Sequence, residues 1–269
     1  MNGSAIEASP TKLMIAMEEN LAGHVSFLQR KLEGMVVDQR EDLLLVDSGI
    51  PSDTFNKILA ARLDESSADA RIEESLSHFE RRGLPFSFWV GPCSRPLDLE
   101  DRLLRRGLRA AEHELGMSIE LDRLPASVEA PPGASIGRVR SLEDLRAFLS
   151  VLSSLQNPPD AYVIAFFERG AGILLEESCP MRFYVAYVDS EPAAVSELFL
   201  GGGVAGVHMV ATLDRFRRRG LGMALTWTAL EEGRRAGMAT GVLQASEEGQ
   251  PVYERLGFEP CGRFVEYTF

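Results

Sequence analysis

The chain has 269 residues, 45% hydrophobic and 25% charged, and its 28 Lys and Arg against 40 Asp and Glu give a formal charge of -12 at pH 7. That length suits two domains of about 130 residues, and no apolar run nears the roughly 20 residues that cross a bilayer. The acidic balance argues against a nucleic-acid surface, which needs a broad basic face.

Three widely spaced cysteines, Cys93, Cys179 and Cys261, form no Cys-x-x-Cys pair, so neither a disulfide framework nor a metal site is expected. The start, Met1 to Lys12, lacks the basic-then-apolar order of an export signal. A cytoplasmic protein is expected.

In chain order, Asp42–Val46 and Phe55–Leu63 read as strands. Ser66-Ser67-Ala68-Asp69 caps a helix to Arg82 that Gly83 ends, Pro85–Val90 is a strand and Leu97–Arg106 a helix. Leu124–Gly133 clusters Pro and Gly where periodicity stops, and reads as a linker. Beyond it, Ala134–Arg140 is a strand, and Ser141 with Asp144 has capping-box spacing for a helix to about Leu155. Asn157-Pro158 then reads as the cap and first position of a second helix. Met181–Val188 and Pro192–Leu200 form a hairpin, in which Phe183, Tyr184 and Tyr187 read as core or cleft wall. Gly201-Gly202-Gly203 leads into a strand over Val204–Leu213.

That strand empties into Arg217-Arg218-Arg219-Gly220-Leu221-Gly222 and a helix with Leu221, Ala224, Leu225 and Ala229 on one face. The first N–H groups of such a helix have no intrahelical partner and the dipole is positive there, while glycines let a phosphate approach the backbone. Arg234 and Arg235 complement the far end of the helix, and Gly237 closes it. A strand over Gly241–Ala245, a short helix over Pro251–Leu256 and a closing strand over Phe258–Phe269 complete the chain.

The two halves repeat one order. Trp89 to Pro96, then Arg105-Arg106-Gly107-Leu108, matches Leu243 to Pro251, then Glu254-Arg255-Leu256-Gly257-Phe258: strand, polar turn, short helix, Gly-hydrophobe. After its own strand, however, the first copy has Asp64-Glu65-Ser66-Ser67, an acidic turn without glycine that would repel a phosphate.

The Arg-x-x-Gly-x-Gly loop (Arg217, Gly220, Gly222) and the downstream Ser246 and Tyr253-Glu254-Arg255-Leu256-Gly257-Phe258 make residues 134–269 resemble the GNAT superfamily of N-acetyltransferases. The resemblance implies an α/β fold of two tandem GNAT-like (acyl-CoA N-acyltransferase) mixed-sheet domains. Residues 1–128 would be a degenerate copy without a CoA loop, and 134–269 an acetyl-CoA-binding catalytic domain. It implies acetyl-CoA as acetyl donor, with no metal, and a small-molecule or peptide amine as acceptor. Neither nucleic acid nor membrane is an expected partner, and a monomer or homodimer fits. The CoA pyrophosphate would meet Arg218, Arg219, Gly220, Leu221, Gly222 and Met223, and Arg217, by its motif position, would belong to the same cofactor site. Its pantetheine arm would run along Val210, Ala211 and Thr212, with Ser246 standing where the family often has Asn.

Amide formation from a thioester needs a neutral amine, a polarised carbonyl and a protonated leaving thiol. By resemblance Tyr253 is the proton donor, although Tyr253 and Leu256 also share a helix face and could be core. For the base, His208 is the only histidine after residue 113, and alternation places it with Gly206, Val210 and Thr212. A structural histidine is the other reading. Glu197 on the neighbouring strand competes for the role, or is simply solvent-facing. A CoA-binding sensor or interaction module without catalysis is the alternative function. No Gly-Lys-Ser/Thr P-loop is present, and the loop lacks the third glycine of a dinucleotide fingerprint.

Overall fold

The computed structural model describes residues 10–269; the opening nine, on which the leader reading mostly rests, lie outside them. Backbone packing divides the chain into two units, neither continuous in sequence. Among the described residues, the first takes the chain from Pro10 to Gly116 and adds Gln244–Glu247 and Pro260–Phe269; the second is Met117–Leu243 with Glu248–Glu259.

The first unit opens on α1 (Pro10–Phe27), which the sequence reading did not anticipate, and continues β1 (Val36–Gln39), β2 (Leu44–Asp47), β3 (Lys57–Leu59), α2 (Ala68–Arg82), β4 (Ser87–Val90), α3 (Leu99–Arg105) and the part of β5 (Arg109–Glu120) up to Gly116. Strands β1, β2 and β3 pair antiparallel, and β3 pairs parallel with β4. A parallel pair needs a crossover, and α2 supplies it. Its buried Ile72, Leu76 and Phe79 recur at i, i+4 and i+7 and pack with Ile58 and Phe88 of the strands. Gly83, at φ 62°, ends the helix in the left-handed conformation, as its position in the sequence predicts.

The second unit contains β6 (Ala134–Arg138), α4 (Leu142–Ser153), α5 (Ala161–Arg169), the single turn α6 (Ala171–Leu174), β7 (Met181–Val188), β8 (Glu191–Gly201), β9 (Val204–Thr212), α7 (Leu221–Arg235), β10 (Thr240–Ala245) and α8 (Gln250–Leu256), after which β11 (Glu259–Thr268) closes the chain. Strands β6 to β9 run antiparallel in sequence order, and β10 joins β9 in parallel. The capping box of α4 forms, with the Ser141 hydroxyl accepting from the Asp144 N–H and the Asp144 carboxylate accepting in return. The cap of α5 is not Asn157 but Asp160, whose carboxylate accepts the N–H groups of Tyr162 (2.8 Å) and Val163 (3.3 Å). Two satisfied amides outweigh the Asn-Pro signal three residues earlier.

The units do not divide at the Pro/Gly segment 124–133. Leu121 N–H donates to the Ala239 carbonyl at 2.8 Å, and the Trp227 indole N–H on α7 donates to the Pro125 carbonyl at 2.8 Å. The segment is thus laid against α7 rather than left as a tether. Conversely β11 pairs antiparallel with β4 through Val265↔Val90 and Tyr267↔Phe88, and Val265 and Tyr267 join the core around Phe79. Each half lends its last segment to the other unit.

Candidate active site

The hairpin between β8 and β9 sets the geometry. Gly202 (φ 61°) and Gly203 (φ 74°) both lie in the left-handed region, as a two-residue turn of the tight hairpin type requires. Such a turn fixes the register from Gly201↔Val204 down to Glu197↔His208. Two residues flagged separately in the sequence therefore stand directly opposite one another. Beyond them Val195 pairs with Ala211, so β9 carries one extra residue, and Met209 sits at φ 51° in the resulting bulge.

The bulge changes which side chains share a face. The Ser196 hydroxyl donates to the Leu225 carbonyl of α7 at 3.4 Å, so Ser196 and Leu198 look toward α7, while Val195, Glu197 and Phe199 look the other way. His208, opposite Glu197, shares that second face, and so does Ala211 opposite Val195. Val210 and Thr212 do not share it, contrary to simple alternation, because the extra residue reverses the phase. Val210 instead turns toward α7, where a Cβ on Gly222 would lie 3.8 Å from its Cγ1. Glu197 is not solvent-facing either: it is 0% exposed, whereas His208 is half-buried. Phe183, on the other side of Glu197, is 2% exposed and packs edge-on to Phe148, which confirms its place in the core.

Past Gly206, and so ahead of the bulge, β9 and β10 part. They pair only at Ala205↔Gly241 and Val242↔Gly206, although β9 continues to Thr212. Then comes a single 3-10 turn, Asp214–Phe216, with Arg217 extended, Arg218 at φ 59°, and Gly220 at φ 88° as the residue before α7. The first intrahelical bond runs from Ala224 N–H to the Gly220 carbonyl. The N–H groups of Leu221, Gly222 and Met223 thus precede the helical ladder. Gly220 is required by its positive φ. Gly222 is not, and the Val210 contact is an ordinary one. Its missing side chain leaves the amide end of α7 uncovered.

The arginines divide by what they touch. Arg217 donates from Nε to Asp214 (3.1 Å) and the Thr212 carbonyl (3.3 Å), and from its terminal nitrogen to Glu248 (3.3 Å), so it closes the loop on itself. Arg215 pairs with Glu191, and Arg234 and Arg235 pair with Glu231 of their own helix. Arg218 and Arg219 are exposed and make no ion pair among the described residues. Asp214 and Glu248, the partners of Arg217, carried no signal in the sequence. Tyr253, 8% exposed, stacks edge-on to Phe258 at 5.9 Å and lies with Leu256 on the buried side of α8. Ser246 is exposed in the turn after β10. Among the described residues no group of His, Cys, Asp and Glu is placed to hold a metal ion, and no helix is long and apolar enough to cross a membrane.

A bulged strand, a parting parallel neighbour and a helix that opens on a glycine mark the β9–α7–β10 crossover of a mixed α/β protein. Residues 146–258 match the model of the Acetyltransferase (GNAT) family. The chain is 34% identical over 128 residues to a glucosamine 6-phosphate N-acetyltransferase of Trypanosoma brucei brucei, a match covering 45% of this chain and 86% of that protein. Two solved structures share the fold along nearly the whole chain. One is a GCN5-related N-acetyltransferase from Kribbella flavida (TM-score 0.68, 18% identity, 92% of this chain and 95% of that one). The other is a tandem GNAT protein from the clavulanic acid biosynthesis pathway (TM-score 0.62, 15% identity, 97% and 94%). The chain belongs to the GNAT acetyltransferase family. Acetyltransferases of this family draw the acetyl group from acetyl-CoA.

Proposed function

We propose that the chain transfers the acetyl group of acetyl-CoA to an amine, by direct attack of the amine on the thioester. The observation that carries this reading is the uncovered amide end of α7 beside a strand whose parallel neighbour has parted from it. The backbone N–H groups of Leu221, Gly222 and Met223 receive the CoA pyrophosphate, with Arg218 and Arg219 adding unpaired positive charge. Arg217 holds the loop in shape rather than meeting the ligand. The pantetheine arm lies along Val210, Ala211 and Thr212, on the edge of β9 that β10 does not occupy. A backbone N–H of that stretch polarises the carbonyl.

In the transfer, the amine nitrogen bonds to the thioester carbon, the amine proton passes to a base, and the C–S bond breaks. Tyr253 supplies the proton that the leaving thiolate takes up. His208 is the base. The acceptor is a small molecule or peptide bearing a primary amine; an amino sugar phosphate, the substrate named for the trypanosomal relative, is the first to screen. In this reading the first unit is a copy of the same fold that has no CoA loop.

Calorimetric titration of the full chain with acetyl-CoA tests the site: micromolar binding is expected, and none at high concentration would leave an interaction module in its place. Tyr253→Phe then tests the chemistry. Turnover should fall about 100-fold with the affinity for acetyl-CoA unchanged, and unchanged turnover would remove Tyr253 from its role as acid.

A further inference from the structure

We infer that Glu197 and His208 act as one unit, Glu197 being a positioning residue that holds the His208 imidazole and offsets the charge it gains as base. This rests on the acetyltransferase reading above and adds to it a second component of the base.

A carboxylate in the middle of a central strand with no exposed surface is costly to bury unless it has a polar partner. Antiparallel register places His208 directly opposite, with Cβ atoms about 5 Å apart on one face. The other cross-strand neighbour is Phe183, and α4, which packs on β8, buries Leu145, Phe148 and Leu149. Of the three charged residues of α4, Glu143 is exposed in the first turn, Asp144 is engaged in the capping box and Arg146 pairs with Glu168. The acidic residues of α7, Glu231 and Glu232, belong to the helix on the opposite face and pair with Arg234, Arg235 and Arg182. On β9 itself, Gly206 and Ala211 share the face and bring no charge. His208 is thus the titratable group that the register presents to Glu197.

The two are also unequally exposed, as a positioned base requires. Glu197 is sealed, whereas His208 is half-buried. The Met209 bulge follows immediately, and a positive φ at a non-glycine residue is the kind of outlier that re-aims a strand at a functional site. One ring N–H donates to the carboxylate, which fixes the tautomer and leaves the other nitrogen to accept a proton. As the amine attacks, that nitrogen takes the amine proton, and the imidazolium forms beside a fixed negative charge. The proton then leaves to solvent.

The test needs no substrate at first. Imidazole resonances of the full chain are followed against pH, His208 being assigned with His208→Gln. Glu197→Gln should lower the His208 titration midpoint and Glu197→Asp should restore it in part, because a nearby anion favours the imidazolium. A midpoint that does not move in Glu197→Gln overturns the pairing. In turnover, Glu197→Gln should lower kcat at least about tenfold and shift the acid limb of the pH profile, with KM for acetyl-CoA unchanged. If the wild-type protein transfers no acetyl group, the role of base falls with the enzymatic reading, while the titration still decides whether the pair exists. Should Glu197→Gln not fold, Glu197→Asp and wild type give the same comparison.

Discussion

The two crossovers of the chain, β3–α2–β4 and β9–α7–β10, solve one packing problem with opposite electrostatics. In each, a helix joins a parallel pair of strands and buries one apolar face. At the start of α2 the positive helix end is already answered from within. Asp69 lies in the first turn and is bridged by Arg102 (2.6 Å) and Arg106 (2.7 Å), which hold its carboxyl below the usual range, Arg106 through its hydrogen bond most of all. At the start of α7 no acid occupies the first turn, the lead residue is a glycine, and two exposed arginines stand by. The β3–α2–β4 topology forms without the glycine-opened loop that precedes α7. The two crossovers differ at that helix end, sealed in one by Asp69 and its arginines and opened in the other by Gly220.

The sharpest break of this comparison is to separate the halves. A fragment of residues 134–269 loses the backbone bond from Leu121 to Ala239 and the Trp227 anchor on Pro125, while its own β11 loses the partner strand β4. Thermal unfolding of the fragment should show no cooperative transition. A sharp transition with full activity would mean that the exchanged segments are dispensable. Next in size, Gly222→Asp carries the acid of α2 into the first turn of α7. Acetyl-CoA affinity by calorimetry should fall about 30-fold, or ~2 kcal/mol, with the fold retained by circular dichroism. An unchanged affinity would place the donor elsewhere.

Much of this was legible in the sequence, and what was not has identifiable causes. The elements of the second unit follow from capping, glycine punctuation and period, and the loop follows from Gly220, Gly222 and the arginines. The face of Val210 was not legible, because nothing in Val207-His208-Met209-Val210 announces that Met209 will take φ 51° and reverse the alternation. The Glu197–His208 pairing was legible in principle: once Gly202-Gly203 is read as a two-residue turn, counting outward from it reaches 197 and 208. The exchange of β11 and of residues 117–133 was hidden, since Pro and Gly mark a loop but not which unit it packs against. Arg217 carries two readings. Its place in the motif pointed to the ligand, and only the geometry shows it held by Asp214 and Glu248.

Two strand carboxylates, Glu197 buried and Glu114 half-buried, extend the comparison. In the second unit Glu197 faces a histidine, whereas Glu114 of β5, in the first unit, has burial, then Glu112 and Glu266, pushing its carboxyl up to about 7, against the single opposing charge of Lys57. Lys57 is itself held by Glu266 at 3.2 Å. Because the folded value lies above the usual 4.5, the folded chain holds the proton longer than the unfolded one. Stability is then lost as pH rises from about 4.5 through about 7. Glu114→Gln should stabilise the protein by about 1 kcal/mol at pH 8 and by much less at pH 5, read from unfolding at the two pH values. Equal gains at both would assign the effect to packing.

The smallest change asks the most of the α7 loop. Gly222→Ala adds one methyl at a helical position where the nearest foreign atom is 3.8 Å away, so the folded state has room for it. Alanine is the better helix former, and near a helix end the gain should be about 0.5 kcal/mol, raising Tm by about 1–2 °C. The same methyl stands over the amide end at which we propose that the pyrophosphate binds, so acetyl-CoA affinity should fall several-fold. A glycine kept for packing would give the reverse pair of results, lower Tm with unchanged affinity. The opposite movement of stability and affinity is therefore what separates a residue that serves the ligand from one that serves the fold.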